Sequence, residues 1–555
     1  MLSSCGSNKG IVKNKAPMSQ ADYPYIDAFH KGMQYKVQGR VDEAILEFEK
    51  CIRIKQTDDA VYYALAKLEL ERGNSDKSAE YIMRANAIDP DNTWYVEELA
   101  YMYFELEDYP NAVKSFQKLV SIEPKNIDWM YGLSEALMKN GQDKDAIQVF
   151  NNMEAQVGSH PHFAIQRYQI LMRTGKVNEA EQELLNAKKK FPQDPSIIGT
   201  LVDHYFRQKQ NDKAEIFLEE LVEADPGNGR AHLALADIYQ RRNELDKAYK
   251  SLGMAIASED LDIDTKMNIL ISIQESSPEI PMEMFPIVDR FVEVNGDNAK
   301  SHSIKGDYLL QSGDSEGALI SYKQALSIDK SLYPIWNQVL VMEYQNEDFE
   351  SLYQDSKACL ELFPSIASIY LLNGISANRL ENYNEGVDIL SLGMEMVVND
   401  PPMKAEFYGQ LGEAYFGMND NAEMISSYKK AIALDPQSAL LKNNFARRLA
   451  SSKQDLDLAL SLAEQVTTDF PEEDIFLDTR GWVLFQKGEY QEALKWFEKA
   501  LVSNSKNSAA WEHLGDAFYK LNNVQDAVQS WEDAKLNGAN SKLLDKKIAD
   551  KKFYE

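Results

Sequence analysis

At 555 residues, 44% hydrophobic and 10% aromatic, the chain has enough apolar material for a continuous core, which excludes wholesale disorder. A formal charge of −29 excludes a nucleic-acid binder, which needs a cationic surface to displace counterions from phosphate. Three cysteines, Cys5, Cys51 and Cys359, exclude a disulfide framework, and no apolar run reaches the roughly 20 residues that a membrane-spanning helix needs.

The chain opens Met1-Leu2-Ser3-Ser4-Cys5-Gly6-Ser7-Asn8. Small residues before a cysteine resemble the lipobox of bacterial lipoproteins, a resemblance that implies acylation of Cys5 and a lipid anchor. A polar stretch of about 16 residues follows, so that 1–20 reads as a disordered tether. No acidic run follows Cys5, which points the anchored reading to the periplasmic face of an outer membrane. The competing reading takes Cys5 as a chance cysteine in a cytoplasmic tail, since a secretory signal needs a basic and then apolar stretch ahead of the cysteine.

From Tyr25 a two-helix pattern recurs. The first unit carries Gly32, Tyr35, Gly39, Ala44, Phe48 and Cys51; the second Ala66, Gly73, Ile82, Ala85 and Pro90; the third Ala100, Tyr103, Ala112, Phe116 and Pro124; the fourth Gly141, Ala146 and Phe150. Pro90 and Pro124, like Pro192 and Pro226, lie 34 residues apart and mark where one unit ends and the next begins. The stretch 261–298 keeps helical periodicity in Met267, Ile269, Leu270 and Ile273 but carries Pro278, Pro281 and Pro286 and lacks the glycine and alanine signature. It reads as a degenerate repeat with a bent connection. The motif resumes near Ala299 with Gly306, Gly313, Ala318 and Tyr322, loosens again at Pro401-Pro402, and ends on its clearest copy, Trp511, Leu514, Gly515, Phe518, Ala527, Trp531 and Ala534.

Each slot has a physical reason. Glycine or alanine at the eighth position of a unit (Gly32, Ala100, Gly306, Gly412, Gly481, Gly515) lets the two helices of a hairpin approach closely. Alanine at the twentieth (Ala44, Ala112, Ala180, Ala493, Ala527) does the same from the other helix, and a large residue four positions later fills the space between them. Cys51 and Cys359 fall on small buried slots of second helices. A single hairpin of this kind cannot bury its apolar face alone, so neighbours must stack.

The pattern resembles the tetratricopeptide repeat family over residues 25 to 539. The resemblance implies an all-α fold, a right-handed superhelical α-solenoid of about fifteen helix hairpins, some degenerate. It divides the chain into a solenoid over 21–260, an irregular elbow over 261–298, a second solenoid over 299–539 and a charged C-terminal tail over 540–555. In this family the first helices line a concave surface. Carried onto this chain, that places Phe29, Met33, Tyr63, Trp94, Tyr101, Phe104 and Tyr131 in an aromatic N-terminal groove suited to peptide or protein hot spots. A C-terminal groove would present Glu406, Glu413, Phe416, Asp478, Trp482, Phe485, Glu512, Asp516 and Tyr519, an acidic and aromatic mixture suited to a basic segment. Some members clamp a partner's C-terminal carboxylate with Lys and Asn from adjacent first helices; Lys442, Asn443 and Arg447 come nearest, without a neighbour supplying the other half.

Chemistry finds no footing. His160-Pro161-His162 is the one close histidine pair, sits at a unit junction and lacks the further ligands of a tetrahedral site. No phosphate-binding glycine loop, zinc-protease motif or serine elbow occurs. The chain therefore reads as a non-catalytic protein-interaction scaffold without cofactor, metal, nucleic acid or small-molecule substrate, its partners proteins or peptides with basic segments among them. The anchored reading makes it a lipoprotein of the Bacteroidota type in an outer-membrane or periplasmic assembly, secretion or uptake complex. The alternative is a soluble cytoplasmic adaptor or co-chaperone.

Overall fold

The computed structural model describes residues 20–554. Cys5 and the expected tether up to residue 19 lie outside the described residues. Among those described, every regular element is helical: thirty-one α-helices and one short 3-10 turn, Gln20–Asp22. The first thirty pair off as fifteen consecutive antiparallel hairpins, from Tyr23–Val37 with Val41–Ile54 to Ser508–Lys520 with Val524–Leu536. This is the all-α solenoid of stacked hairpins that the repeat pattern calls for.

The backbone carries the period directly. Each of the first seven hairpins turns through one residue in the left-handed region, and these fall at Gly39, Gly73, Glu107, Gly141, Gly175, Lys209 and Asn243, every 34 residues. Glycine meets the requirement without strain at Gly141 (φ 74°), whereas Glu347 adopts the same conformation at φ 56° against its side chain. The helix that follows is commonly started by an Asp or Asn carboxylate or amide accepting a backbone N–H, as Asp108 does from Asn111 and Asn523 from Asp526. Pro401 and Pro402 open the helix Pro401–Gly417, where a missing N–H costs nothing.

Within a hairpin the small and large slots interlock. A Cβ added to Gly306, Gly481 or Gly515 would lie 2.5 Å from a ring atom of Tyr322, Phe497 or Trp531, the residue sixteen positions on. Those rings are themselves sealed: Phe497 and Trp531 are 0% exposed. Glycine at this slot is thus a volume requirement, and alanine at the twentieth slot, fully buried in Ala44, Ala112, Ala493 and Ala527, is its counterpart.

The chain divides into two compact units, one ending at Leu261 and the other beginning at Asp262. The segment read from sequence as an elbow is a helix pair, Ile263–Ser276 and Met284–Val294, joined by the stretch that holds Pro278 and Pro281. It is built into the second unit: Tyr308 donates to the Leu270 carbonyl at 2.7 Å, and Lys305 pairs with Asp289 at 2.7 Å. The charged C-terminal stretch also folds. Lys542–Asp550 is helical, and Lys551 at φ 50° then turns the chain so that Phe553 rests against Phe485 and Tyr519.

One buried cluster in the second unit gives a pH signature. Glu343 is 0% exposed and pairs with Lys323 at 2.6 Å, while Lys323 also holds Asp355 at 2.9 Å. Burial, helped by Asp355 and opposed by Lys323, pushes the Glu343 carboxyl up to about 8. A carboxyl raised on folding contributes stability that is complete below its unfolded value and is lost as pH rises through the folded one. Glu343→Gln is therefore expected to melt several degrees above the parent at about pH 9 and alongside it at about pH 5, by circular dichroism. Equal melting at both pH values would contradict this account.

Candidate functional site

In the first unit the helix Thr93–Glu105 carries Trp94 and Tyr101 one heptad apart, on one face, 67% and 44% exposed. Met33 is 39% exposed on the first helix. The other expected residues of this groove are half-buried. Phe29 meets Phe48 edge-on at 5.9 Å, and Tyr63 lies 5.2 Å from Tyr95. Tyr131 packs against Phe150 and Phe163. Phe104 lines a groove of about 510 Å³ with Met138, Gln166 and Arg173. Trp94 is thus surplus to the hairpin cores, while Tyr101 meets the buried Phe116 ring edge-on at 5.2 Å and keeps nearly half its surface exposed.

The second unit differs from the expectation of an open acidic groove. Asp478, Phe485 and Asp516 are buried, at 3%, 4% and 2% exposure. The reason is internal pairing and the returning C-terminal segment. His513 Nδ1 bonds Asp478 at 2.7 Å, Lys547 reaches Asp516 at 2.8 Å and Glu512 at 2.9 Å, and the Trp531 indole N–H donates to Asp516 at 2.9 Å. Trp482 is sandwiched between Phe485 at 5.2 Å and His513 at 4.5 Å. Tyr519 lies between Trp531 and Phe553. Glu406 accepts from Gln410 at 3.0 Å. Glu413 accepts from Arg448 Nε at 3.0 Å and from the Tyr428 hydroxyl, and Arg448 lies 4.4 Å over the Phe416 ring. With Glu413, Glu512 and Asp516 paired to cations from within and Asp478 buried, this face offers a basic segment much less than its composition suggests.

The same face holds a feature that sequence reading missed. Helices Ala367–Arg379, Pro401–Gly417 and Ala439–Ser451 together wall a groove of about 430 Å³ that presents Arg379, Arg447 and Arg448 beside Phe416 and Tyr383. Glu413 and Arg447 each follow the small slot of their unit, Gly412 and Ala446, whereas Arg379 lies five residues past Gly374 at the end of its helix, so the three share no position in the repeat. Nor was it legible that Arg448 consumes Glu413 and leaves the flanking arginines without a carboxylate. Asn443, expected near a carboxylate clamp, is 1% exposed and belongs to the core. His160, for its part, accepts the His162 backbone N–H at 3.2 Å as a helix cap. Cys51 and Cys359 are buried, and burial pushes their thiols up to about 11 and about 12, away from reactivity.

Family models described as tetratricopeptide repeat match residues 60–92, 103–167, 205–264, 299–332, 405–438, 448–508 and 479–540. The chain is a tetratricopeptide repeat protein. It is 23% identical over 458 residues to the TPR repeat-containing protein MJ1428 of Methanocaldococcus jannaschii, covering 80% of this chain and 69% of that one. It is 21% identical to the BBSome complex member BBS4 of Bos taurus, covering 75% and 73%. The crystal structure of yeast Tom70 aligns over 96% of both chains at 15% identity with a TM-score of 0.35.

Tetratricopeptide repeats make scaffolds for protein–protein contacts, and among the described residues no group of three or more His, Cys, Asp or Glu could hold a metal. The lipid-anchored, outer-membrane, periplasmic placement expected from Cys5 is corrected here. Among the relatives that the chain matches are an archaeal repeat protein, a BBSome complex member and mitochondrial import receptor subunits, and these are not named as outer-membrane lipoproteins. No described helix is long and apolar enough to cross a membrane. The family match accounts for the solenoid without the four-residue resemblance at Cys5.

Proposed function

We propose that this tetratricopeptide repeat protein is a soluble adaptor, of the co-chaperone kind, that docks extended or helical partner segments on the first-helix face of its N-terminal unit. One observation carries the reading: Trp94 and Tyr101 expose large aromatic surface on one helix face, with only the edge of Tyr101 turned to the core ring Phe116. Such side chains bring contact area at low entropy cost and a polar tip, the usual make-up of an interaction hot spot. Support of a looser kind comes from relatives named as members of multi-protein assemblies, such as BBS4.

The test compares complexes captured by tagged full-length chain and by its Trp94→Ala/Tyr101→Ala variant, quantified by mass spectrometry. Loss of a hot-spot pair predicts that partner recovery falls at least about tenfold while the protein stays folded, its melting temperature lowered by only a few degrees through the lost Tyr101–Phe116 contact. Undiminished recovery would remove the N-terminal groove from consideration.

A further inference from the structure

We infer that the arginine-lined groove of the second unit is a second docking site, and that it takes an internal acidic segment of a partner protein: aspartate or glutamate side chains on Arg379 and Arg447, with an apolar side chain between them against Phe416 and Tyr383. This goes beyond the N-terminal groove, lies on a different unit, and reverses the sign of the partner that composition suggests.

Charge argues it. The chain holds 59 Lys and Arg against 88 Asp and Glu, so a cation finds a carboxylate easily, and most arginines here do. Arg167 holds Glu154 and Glu183, Arg242 holds Asp212 and Glu215, and Arg480 holds Glu464. Arg379 and Arg447 hold none within salt-bridge distance among the described residues; Arg379 only lies over the Phe349 ring at 5.4 Å. Arg447 is half-buried as a residue and, like Arg379, lines the groove. Both face one groove, from first helices on either side of the helix that carries Glu413.

Glu413 does not cancel them. Its carboxylate is taken by Arg448 and the Tyr428 hydroxyl, leaving the exposed Glu381 at the rim as the groove's other acid. Guanidinium groups pair with carboxylates through two parallel hydrogen bonds, which suits flat acidic side chains. The large negative charge of the whole chain is screened beyond about 8 Å at physiological salt, so the local arginines decide at contact range. Phe416, under Arg448, and Tyr383 supply the apolar floor between the two cations.

The experiment uses the full-length chain and a fluorescein-labelled Asp-Glu-Phe-Glu-Asp peptide blocked by acetyl and amide groups, read by fluorescence anisotropy. Saturable binding is expected, weakening at least about tenfold in Arg379→Ala/Arg447→Ala and recovering in part in Arg379→Lys/Arg447→Lys, which keeps charge but not the paired hydrogen bonds. Trp94→Ala/Tyr101→Ala should bind the peptide as the parent does, so failure of this proposal and failure of the N-terminal groove are separable. Three results would overturn it: no saturable binding by the parent, equal binding by the double alanine variant with an unchanged melt, or equally tight binding of a neutral peptide with a free C-terminal carboxylate. The last would make the groove a clamp for chain ends.

Discussion

Alanine at Lys547 is expected to melt the C-terminal end of the second unit well below the rest of it, at a cost of about 3–5 kcal/mol at neutral pH. Lys547 and Asp516 are 3% and 2% exposed and meet at 2.8 Å, with Glu512 as the ammonium's other partner at 2.9 Å. Removing the cation strands the Asp516 carboxylate with the Trp531 indole N–H, and a buried unpaired charge costs more than the pair contributed.

The pH dependence fixes the cause. Burial already holds the Asp516 carboxyl above its ordinary range, with Lys547 pulling the other way, so loss of Lys547 raises it further. The stability of a raised carboxyl is whole below its unfolded value and declines as pH rises. The deficit of Lys547→Ala should therefore shrink as pH falls toward about 4, and Lys547→Met/Asp516→Asn should recover most of it at neutral pH. Hydrogen exchange across Ser508–Lys520 and Val524–Leu536, with melts at two pH values, reads the effect. Parent-like exchange in Lys547→Ala would show that the C-terminal helix does not seal this end.

The second large effect is in the hairpin lock. Phe497→Ala empties a fully buried slot and should cost about 3–5 kcal/mol. Gly481→Ala alone should also destabilise, by about 1–3 kcal/mol, since its Cβ would lie 2.5 Å from the Phe497 ring. In the Phe497→Ala background the obstruction is gone, and alanine is favoured over glycine in a helix by about 1 kcal/mol. Gly481→Ala should there become neutral or stabilising. A double-mutant cycle in urea measures this change of sign. If the two substitutions simply add, the glycine slot is not a volume constraint set by the ring.

Much of the fold was readable because its causes are local and repeat. The small residue at the eighth slot, alanine at the twentieth and the ring four later each answer to a neighbour within the same hairpin, so spacing alone reports them. The stretch 261–298 was readable as departing from the motif, through its prolines, but not as part of the second unit, because that depends on Tyr308 and Lys305 reaching back across a turn of the solenoid. The exposure of Trp94 and Tyr101 followed from the register, since neither occupies the small or large slot of its unit.

The C-terminal face was misread for the opposite reason. Composition there is acidic and aromatic, yet whether a carboxylate is available depends on which cation reaches it from another helix. Lys547 reaches Asp516 from 31 residues away and Arg448 reaches Glu413 from 35, and neither reach leaves a mark in a single repeat. By itself the sequence determined the repeat, its hairpin and the absence of a catalytic motif, since these rest on periodic burial and on residue types. Only the tertiary structure decided which charges are spent and which remain free, because ion pairing is settled between helices, after the hairpins have stacked. That choice leaves Arg379 and Arg447 on one groove without a carboxylate partner in an otherwise acidic protein.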